Sequence, residues 1–310
     1  MNLRRLKYFV KSVEIGSLTQ AAEILYVAQP ALSQQLSVLE TELKQTLLIR
    51  NKRGVQPTEA GKVLYRNAQL ILRQCEQAEQ EVQHAGKHLT GTVAVGLSQC
   101  SMAEQLAIPL LKAVRSAQPG ITLNLNQNSG VRQSELVMSG RIDMALLGTS
   151  LYGAHIPHGI RFMPLFNEQL HLVATELATG QAPLPLAQLV ELDLILPNPN
   201  HFLRKTIDDA FMRIGAQLRV VAEISTQVTL NEAVLAGVGA TILPASIAQQ
   251  LCAANGLAHA PITQPTLEAN LALCESDAHV LSLPARAVRE ILLEVIHQHA
   301  ARFGIPALNA

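Results

Sequence analysis

The sequence of 310 residues has no tryptophan, few aromatic residues (3%) and no long uninterrupted apolar run. Its most apolar segment, residues 233–248, is shorter than the roughly 18–20 residues that a membrane-spanning helix needs. The four cysteines (Cys75, Cys100, Cys252 and Cys274) show no CxxC spacing, so neither a disulfide framework nor a zinc site is indicated. The N-terminus lacks the apolar core and cleavage site of a secretory signal peptide. We therefore expect a cytoplasmic protein without a membrane partner.

Signatures of catalysis and of metal binding are also missing. Neither a GxSxG nor a GxxxxGK[ST] run is present, and the glycines of residues 237–239 lack the continuation of a GxGxxG motif. His84 and His88 share a helix face, as zinc ligands can, but a solvated face is the simpler interpretation. The same interpretation holds for His297 and His299. We predict that the protein is not an enzyme and uses neither a metal ion nor a cofactor.

Charge is distributed unevenly, although the formal net charge of the whole chain is zero. Residues 1–66 carry ten Lys/Arg and five Glu, which gives a net charge of +5. Residues 91–310 carry twelve Lys/Arg and sixteen Asp/Glu, which gives −4. A basic end on an acidic body is the distribution expected when that end meets a polyanion.

Helical spacing and capping signals predict three helices near the N-terminus. Asn2 can cap the first helix, and Gly16 ends it. Ser17 and Gln20 have the capping-box spacing at the start of the second helix. After a short turn, Pro30 suits the first turn of a third helix, where a backbone N–H is not needed. Two helices joined by so short a turn have the helix-turn-helix pattern.

The third helix has two unlike faces. Four leucines at helical spacing form the stripe that we expect to be buried: Leu32, Leu36, Leu39 and Leu43. The opposite face has no charge and no long aliphatic side chain: Gln29, Pro30, Ser33, Gln34 and Ser37. An ordinary surface helix more often carries Glu and Lys there. Because glutamine pairs bidentately with adenine and serine can donate or accept at several bases, this face suits the edges of base pairs.

Residues 47–58 begin apolar, continue with a basic cluster and end with a proline, which predicts a small β-hairpin or wing. Arg50, Lys52 and Arg53 form the cluster, and they could neutralise DNA phosphates without reading sequence. A helical pair that merely packs is the alternative for the preceding helices, but it gives the basic wing no role.

Thr58 can cap a long helix that runs to about residue 88. About 30 residues would form a rod of roughly 45 Å. Apolar residues recur along it at alternating spacings of four and three, as in a coiled-coil seam: Leu64, Ala68, Ile71, Cys75, Ala78 and Val82. We predict that this seam pairs with a second copy of the chain.

From Gly91 onward strands alternate with helices, which argues for a parallel α/β sheet. The first run contains three predicted strands: 92–97, 122–127 and 142–147. A second, similar run begins near residue 168, and a last helix spans residues 284–301. The pattern predicts two α/β lobes of roughly 100 residues each.

Residues 1–66 resemble the winged helix-turn-helix of LysR-type transcriptional regulators. The likeness runs without a gap through LKYFVKSVEIGSLTQAAEILYVAQPALSQQLSVLETEL and then LLIRNKRGVQPTEAG, which contains the family's wing and the start of its linker helix. Looser likenesses follow at GRIDMALLG, LHLVA, DLILP and AVLAGVGATILPASIA, which stand where the family's two-lobed effector domain has comparable segments. The resemblance therefore covers the whole chain.

The resemblance implies an α/β protein in three parts. These are a winged helix-turn-helix domain (1–57), a linker and dimerisation helix (58–90) and a two-lobed domain like a periplasmic solute-binding protein (91–310). Lobe I would comprise about 91–162 and 266–310, and lobe II about 163–265. It also implies a transcriptional regulator that binds interrupted palindromes in double-stranded DNA as a homodimer or homotetramer and could contact RNA polymerase.

The resemblance also implies roles for individual residues. It puts the uncharged face of the third helix, with Arg50 and Arg53 of the wing, on DNA. Effectors of the family bind between the lobes, a region that here contains Ser98, Cys100, Ser101, Asn128, Ser129, Thr149, Asn198, His201, Thr226 and Gln227. Backbone N–H groups near Ser101 would suit an anion, but the nearest arginines, Arg132 and Arg204, lie outside these loops. The effector is therefore unknown, and a regulator that needs none is an alternative.

The role of Cys100 and the function of the whole chain each have two possible interpretations. Cys100 lies near a proposed helix start that could stabilise a thiolate, so it is either a redox sensor or a small buried cysteine. For the whole chain, the alternative function is a cytosolic solute-binding protein or enzyme whose N-terminal helices serve only for dimerisation. A regulator must bind a palindromic duplex with a steep dependence on salt, whereas binding without sequence preference favours the alternative.

We expect the Arg53→Ala substitution to weaken binding to all DNA sequences to a similar degree, because a phosphate contact carries no sequence information. Binding isotherms at several salt concentrations should give a salt slope that is flatter by about one. An unchanged slope would exclude Arg53 from the DNA interface.

Overall fold

The computed structural model describes residues 1–51, 54–83, 89–99, 101–149, 159–177 and 180–306. Five residues singled out above lie outside these ranges: Lys52, Arg53, His84, His88 and Cys100. The chain divides into two compact units, Met1–Lys87 with Ser139–Arg141, and His88–Met138 with Ile142–Ala310. No helix within the described ranges is long and apolar enough to cross a membrane. The finer domain and lobe boundaries stay predictions.

The described residues of the first unit form four helices and one β-hairpin. In chain order these are α1 (Leu3–Ile15), α2 (Leu18–Ile24), α3 (Gln29–Leu43), β1 (Leu48–Asn51), β2 (Gly54–Pro57) and α4 (Glu59–Gln83). α1 packs against α2, α3 and α4, and their apolar faces form one buried cluster that includes Leu6, Phe9 and Ala21. The antiparallel pairing of β1 with β2 confirms the predicted wing.

Local signals set both ends of α1 and the start of α2, as the sequence predicts. The Asn2 side chain accepts a hydrogen bond from the Arg5 N–H (2.9 Å). Gly16 ends α1 with a φ of 71°, a left-handed conformation that glycine adopts without steric strain. The Ser17 hydroxyl accepts from the Gln20 N–H (3.4 Å), which is the serine half of the predicted capping box.

The leucine stripe of α3 is buried except at its end. Leu32, Leu36 and Leu39 are at most 1% exposed, as predicted. Leu43 is 36% exposed, so the prediction that it is buried was wrong. Leu43 is the last residue of α3, where the chain leaves the helix through Lys44 in a left-handed conformation (φ 52°). The Leu43 side chain is therefore not packed into the buried cluster of this unit.

The start of α4 is tied to the base of the wing. The Thr58 hydroxyl donates to the Thr46 carbonyl (2.7 Å) and accepts from the Gly61 N–H (3.0 Å), so Thr58 caps α4 as predicted. A Cβ at Gly61 would lie 2.1 Å from the Leu47 carbonyl oxygen. The backbones approach so closely here that only glycine fits.

The second unit is α/β. Its helices are α5 (Ala107–Ala117), α6 (Gly130–Met138), α7 (Phe202–Arg213), α8 (Gln227–Leu235), α9 (Ala245–Asn255) and α10 (Leu283–Phe303). Its strands are β3 (Gly91–Ser98), β4 (Ile121–Asn128), β5 (Met144–Thr149), β6 (Ile160–Ala174), β7 (Leu184–Pro185), β8 (Leu194–Leu196), β9 (Val220–Glu223), β10 (Thr241–Pro244), β11 (Ala258–Thr263) and β12 (Glu268–Ser276). Short 3-10 helices span Met102–Leu106 and Leu186–Leu189.

The main sheet has the strand order β4-β3-β5-β12-β6-β11-β7, with β10 also paired to β6, while β8 and β9 form a separate parallel pair. β3 is parallel to β4 and β5, as predicted. β12, which was not predicted, is antiparallel to both β5 and β6, so the sheet is mixed and not parallel throughout. The fifteen-residue strand β6 pairs antiparallel with β12 along its first part and with β10 and β11 at its end. This strand therefore links the two halves of the unit.

A pair of histidines lies where β6 and β11 run side by side. The Nδ1 atoms of His171 and His259 are 3.0 Å apart, so one ring donates a hydrogen bond to the other. Burial, with a smaller contribution from the charge of His259, lowers the pKa of His171 to about 4. Burial also lowers the pKa of His259. Both rings are therefore neutral near pH 7.

We expect the free energy of unfolding to fall as the pH decreases from about 6.5 towards 4, because the unfolded chain binds protons that the buried His171 excludes. The folded pKa is the lower one, so this stabilisation is complete above the unfolded pKa and is lost on acidification. Between pH 7 and pH 5 the contribution of His171 is at most about 2 kcal/mol.

Urea unfolding at pH 7 and at pH 5 measures this contribution. The His171→Phe variant should lose that part of the pH dependence, whereas a variant of the exposed His297, His297→Ala, should keep it. If His171→Phe retains the full pH dependence, the titration of this pair is not its cause.

Candidate DNA interface and effector cleft

The face of α3 that we predicted to read DNA is accessible along its length. Pro30, Gln34 and Ser37 are exposed, and Gln29 and Ser33 are half-buried. The leucines that anchor α3 in its unit occupy the other side of the helix. The surface left for a partner is therefore uncharged and rich in hydroxyl and amide groups, as expected; its contact with DNA stays a prediction.

One carboxylate ties the wing to α3. Glu40 Oε1 accepts from the N–H groups of Leu47 (2.8 Å) and Leu48 (3.1 Å). Its Oε2 accepts from Arg50 Nη2 at 3.1 Å. The second terminal nitrogen of that guanidinium, Nη1, donates to the Ser33 hydroxyl at 2.9 Å. Arg50 therefore joins the first strand of the wing to two points on α3.

This arrangement changes the role expected for Arg50. The sequence predicted an arginine directed at DNA phosphates, but the guanidinium lies between Ser33 and Glu40. A planar guanidinium can bridge two acceptors in this way because its N–H groups point in fixed directions. Arg50 therefore holds the hairpin against α3, and a phosphate contact made by the same residue stays a prediction.

A second set of charged contacts joins α1 to α3. Arg5 Nε donates to Gln35 Oε1 (2.9 Å), and Arg5 Nη1 donates to Glu42 Oε1 (2.6 Å). The Met1 amino group lies 2.7 Å from Glu42 Oε2. Hydrogen bonds from the amino group and from Arg5 lower the pKa of Glu42. Sequence reasoning missed these contacts because no local pattern indicates a distant partner for Gln35 or Glu42.

The predicted coiled-coil seam of α4 has two parts. Leu64, Ala68 and Ile71 pack against the buried cluster of their own unit, where Ala68 is completely buried. The other three are more accessible: Cys75 is half-buried, Ala78 is exposed, and Val82 is 78% exposed. Because Ala68 cannot reach a partner, the prediction of a single dimerisation seam is corrected. Pairing of α4 with a second chain through the residues that remain accessible stays a prediction.

Two of the predicted effector residues are sealed inside the second unit. Ser98 and Ser101 are at most 1% exposed, and their hydroxyl oxygens lie 2.7 Å apart. The Gly148 N–H donates to Ser98 Oγ (2.9 Å), and the Ala103 N–H donates to Ser101 Oγ (3.2 Å). The two serines thus join β3 to β5 and cap the following 3-10 helix. In this conformation neither hydroxyl is open to a ligand.

The start of α7 closes over the ends of β3 and β5. His201 Nδ1 accepts from the Leu203 N–H (3.2 Å), and His201 Nε2 donates to the Gln99 carbonyl (2.8 Å). These bonds assign the proton to Nε2 of a neutral ring, and burial lowers the pKa of His201 accordingly. A Cβ at Gly148 would lie 2.2 Å from ring atoms of Phe202, so the ring fills the space beside β5.

The remaining candidates are partly exposed, and most bond to near neighbours. The pairs are Asn128 with Asn126 (2.8 Å), Ser129 with Arg132 (3.3 Å), Asn198 with Ser225 (2.8 Å), Thr226 with Thr229 (2.9 Å) and Gln227 with Asn231 (2.7 Å). Arg204 binds Asp208 and Glu223 and is not directed at a ligand. Two of the predicted residues bond across to the segment that holds Ser98 and Ser101: the Asn128 carbonyl accepts from the Gln99 N–H (3.1 Å), and the His201 side chain binds the Gln99 carbonyl.

Sequence reasoning missed a buried polar group on β12. Asn270 is 3% exposed, and its amide group donates to the Thr149 carbonyl (3.5 Å). Among the described residues, the Oδ1 atoms of Asn270 and of its cross-strand neighbour Asn167 have no hydrogen-bond partner. An asparagine inside the apolar run NLALC was the available signal. It was passed over because β12 itself was not predicted.

Comparison with known proteins defines the class. Residues 3–62 match the family model of the bacterial regulatory helix-turn-helix protein, lysR family, and residues 86–296 match that of the LysR substrate binding domain. Together with the winged helix and the α/β second unit, these matches show that the chain belongs to the LysR family of transcriptional regulators.

The chain is 46% identical over 297 residues to the nitrogen assimilation regulatory protein nac of Klebsiella aerogenes, which covers 96% of this chain and 95% of that protein. It is 43% identical over 296 residues to the protein of the same name from Escherichia coli (strain K12), with the same coverage. Among solved structures, full-length CbnR complexed with its target DNA matches with a TM-score of 0.64 and 22% identity. That match covers 96% of this chain and 99% of CbnR and shows a common fold.

These matches confirm the family that the sequence indicated. They also confirm the likeness of MNLRRLKYFVKSVEIGSLTQAAE, LLIRNKRGV and ILRQCEQAEQ to the nitrogen assimilation control protein. Both relatives are named as regulators, whereas the alternative was a solute-binding protein or enzyme with an accessory helical module. The function class is therefore that of a DNA-binding transcriptional regulator of the LysR type.

We expect the His201→Ala substitution to lower the free energy of unfolding by about 1–2 kcal/mol, because it removes both the cap of α7 and the bond to Gln99. His201→Asn should recover part of the loss, because asparagine can cap the helix but is too short to reach that carbonyl. Chemical denaturation of the three proteins measures the difference. Equal losses in both variants would mean that the cap contributes nothing.

Proposed function

We propose that this protein regulates nitrogen-assimilation genes by binding interrupted palindromes as a homodimer or homotetramer. The identity of 46% with the nitrogen assimilation regulatory protein nac carries this proposal, because it extends over 96% of the chain and so includes both units. A protein in this role acts on chromosomal DNA, which implies a cytoplasmic location. Neither a metal ion nor a cofactor takes part.

In this proposal α3 enters the major groove with its uncharged face against the base edges. Gln34 is exposed there, and its amide can accept from N6 and donate to N7 of one adenine. Ser33 and Ser37 contact neighbouring bases, and Gln29 and Pro30 lie where the helix enters the groove. Lys52 and Arg53 of the wing neutralise phosphates, which sets the register of the helix on the duplex.

A second copy of the chain supplies the other half-site. The C-terminal half of α4, with Ala78 exposed and Val82 78% exposed, supports a pairing surface there. Two reading heads related by a two-fold axis match a palindrome. A rearrangement of the second unit would then change the separation of the heads, the bend of the DNA and contact with RNA polymerase. The sealed Ser98 and Ser101 favour a regulator that needs no effector at this position.

A selection of genomic DNA fragments bound by the full-length protein tests the proposal. We expect enrichment of interrupted palindromes near nitrogen-assimilation genes and a steep fall in affinity as salt increases. Repeating the selection with candidate metabolites tests for an effector. Binding without sequence preference would contradict a regulator, whereas palindromes enriched near other genes would contradict only the role in nitrogen assimilation.

We expect the Gln34→Ala substitution to weaken binding at the cognate site by about 1–3 kcal/mol and to relax discrimination at one base pair, because a bidentate base contact is lost. Fluorescence anisotropy with the cognate duplex and its single-base variants measures both effects. Gln250→Ala, a change at an exposed glutamine of α9, is the control and should have no effect. An equal loss on random DNA would instead indicate a phosphate contact by Gln34.

A further inference from the structure

Two serines on the reading face of α3 have different hydrogen-bonding states. Ser33 and Ser37 are separated by about one helical turn, so both can face the same groove. A serine hydroxyl has one proton to donate and lone pairs to accept with, and either use alone is compatible with several bases. The contacts each hydroxyl already makes within the protein decide which use remains.

Ser33 is occupied as an acceptor. Arg50 Nη1 lies 2.9 Å from Ser33 Oγ, and a guanidinium can only donate. This bond takes up a lone pair of the hydroxyl oxygen and leaves its proton. Among the described residues no acceptor takes that proton, so Ser33 can offer it to a group outside the protein.

Ser37 is occupied as a donor. Its hydroxyl donates to the Ser33 carbonyl, with the two oxygens 3.1 Å apart, in the back-bonded arrangement that serine adopts within helices. The proton is therefore engaged, and the lone pairs of an exposed side chain remain. Ser37 can accept a hydrogen bond from outside without breaking this one.

Glu40 holds Arg50 where its guanidinium can donate to Ser33 and so leave the Ser33 proton free. Its Oε2 accepts from Arg50 Nη2 at 3.1 Å, and its Oε1 is itself held by the backbone N–H groups of Leu47 and Leu48. The guanidinium is therefore anchored at one nitrogen while the other points at Ser33. The ion pair also neutralises the charge of Arg50, so this arginine should contribute little to the salt dependence of DNA binding.

Resting on the proposed function, we propose that α3 reads DNA with a fixed pair of hydroxyls, in which Ser33 is the hydrogen-bond donor and Ser37 is the acceptor. Arg50 is the positioning residue that sets the polarity of Ser33. Ser33 then selects base edges that present an acceptor, which are N7 and O6 of guanine, N7 of adenine and O4 of thymine. Ser37 selects edges that present a donor, which are N4 of cytosine and N6 of adenine.

The two serines read different base pairs. Residues four apart in an α-helix are separated by about 6 Å along its axis, and successive base pairs by about 3.4 Å. A donor and an acceptor at this spacing suit neighbouring steps of a half-site, so each preference can be changed separately.

Selection from a library of randomised duplexes with the full-length protein tests this inference. Ser33→Ala should lose the preference at one base pair by roughly fivefold, the size expected for one hydrogen bond. Arg50→Lys keeps the positive charge but loses the planar fork, and it should relax the same base pair with an unchanged salt slope. Ser37→Ala should relax a different base pair, one at which a donor edge was selected.

Two further variants separate this effect from general damage. Ser33→Thr keeps the hydroxyl and should keep the preference. Lys62→Ala breaks an exposed ion pair on α4 (2.6 Å to Glu59) and should leave every preference unchanged. The double variant Ser33→Ala/Arg50→Lys should lose no more at that base pair than either single variant, because both act on one contact. Circular dichroism checks that each variant is folded.

Three results would overturn the inference. An unchanged selection profile for Ser33→Ala would remove Ser33 from base recognition, and an unchanged profile for Arg50→Lys alone would remove Arg50 as its positioning residue. A uniform loss on all sequences with a flatter salt slope for Arg50→Ala would make Arg50 a phosphate contact. If the unaltered protein selects a palindrome, these results leave the proposed function standing; if it selects no sequence, both fail.

Discussion

The surface that we propose reads DNA depends on the hydrogen bonds that the Glu40 carboxylate accepts from the wing. The wing has four residues in each strand, and a hairpin of this size is not stable by itself in water. Glu40 receives the N–H groups of Leu47 and Leu48 where the wing begins, and it receives Arg50 further along. A charged acceptor makes stronger hydrogen bonds than a neutral one. Because Glu40 belongs to α3, these bonds join the hairpin directly to the helix that we propose faces DNA.

In the second unit, contacts between distant segments join α7 to the main sheet. β6 passes through both halves of the sheet, and the start of α7 returns to the ends of β3 and β5. There His201 donates to the Gln99 carbonyl and Phe202 stands against Gly148. Polar residues that the family resemblance put at a ligand site, such as Ser98 and His201, make hydrogen bonds within the protein. An opening of this region would have to replace those bonds, which links ligand access to a change in conformation.

Much of the N-terminal unit could be predicted because its signals are local. Capping by Asn2 and Ser17 and the turn at Gly16 act over three or four residues, so sequence spacing alone locates them. The second unit was less accessible to such reasoning. β12 pairs with β5 and β6, which lie far away in the sequence, and nothing in the run around Asn270 indicates those partners or their direction. An α/β pattern therefore suggested a parallel sheet where the structure has a mixed one.

The sequence by itself determined the family, the positions of the N-terminal helices and the uncharged face of α3, because periodicity and capping depend only on neighbouring residues. The tertiary structure decided what those residues do. It brought Arg50 to Ser33, which is 17 residues away, and His201 to Gln99, which is 102 residues away. It also buried Ala68 of the presumed dimer seam within its own unit. Such contacts follow from how separate elements pack, and no spacing along the chain encodes the distance between two atoms on different elements.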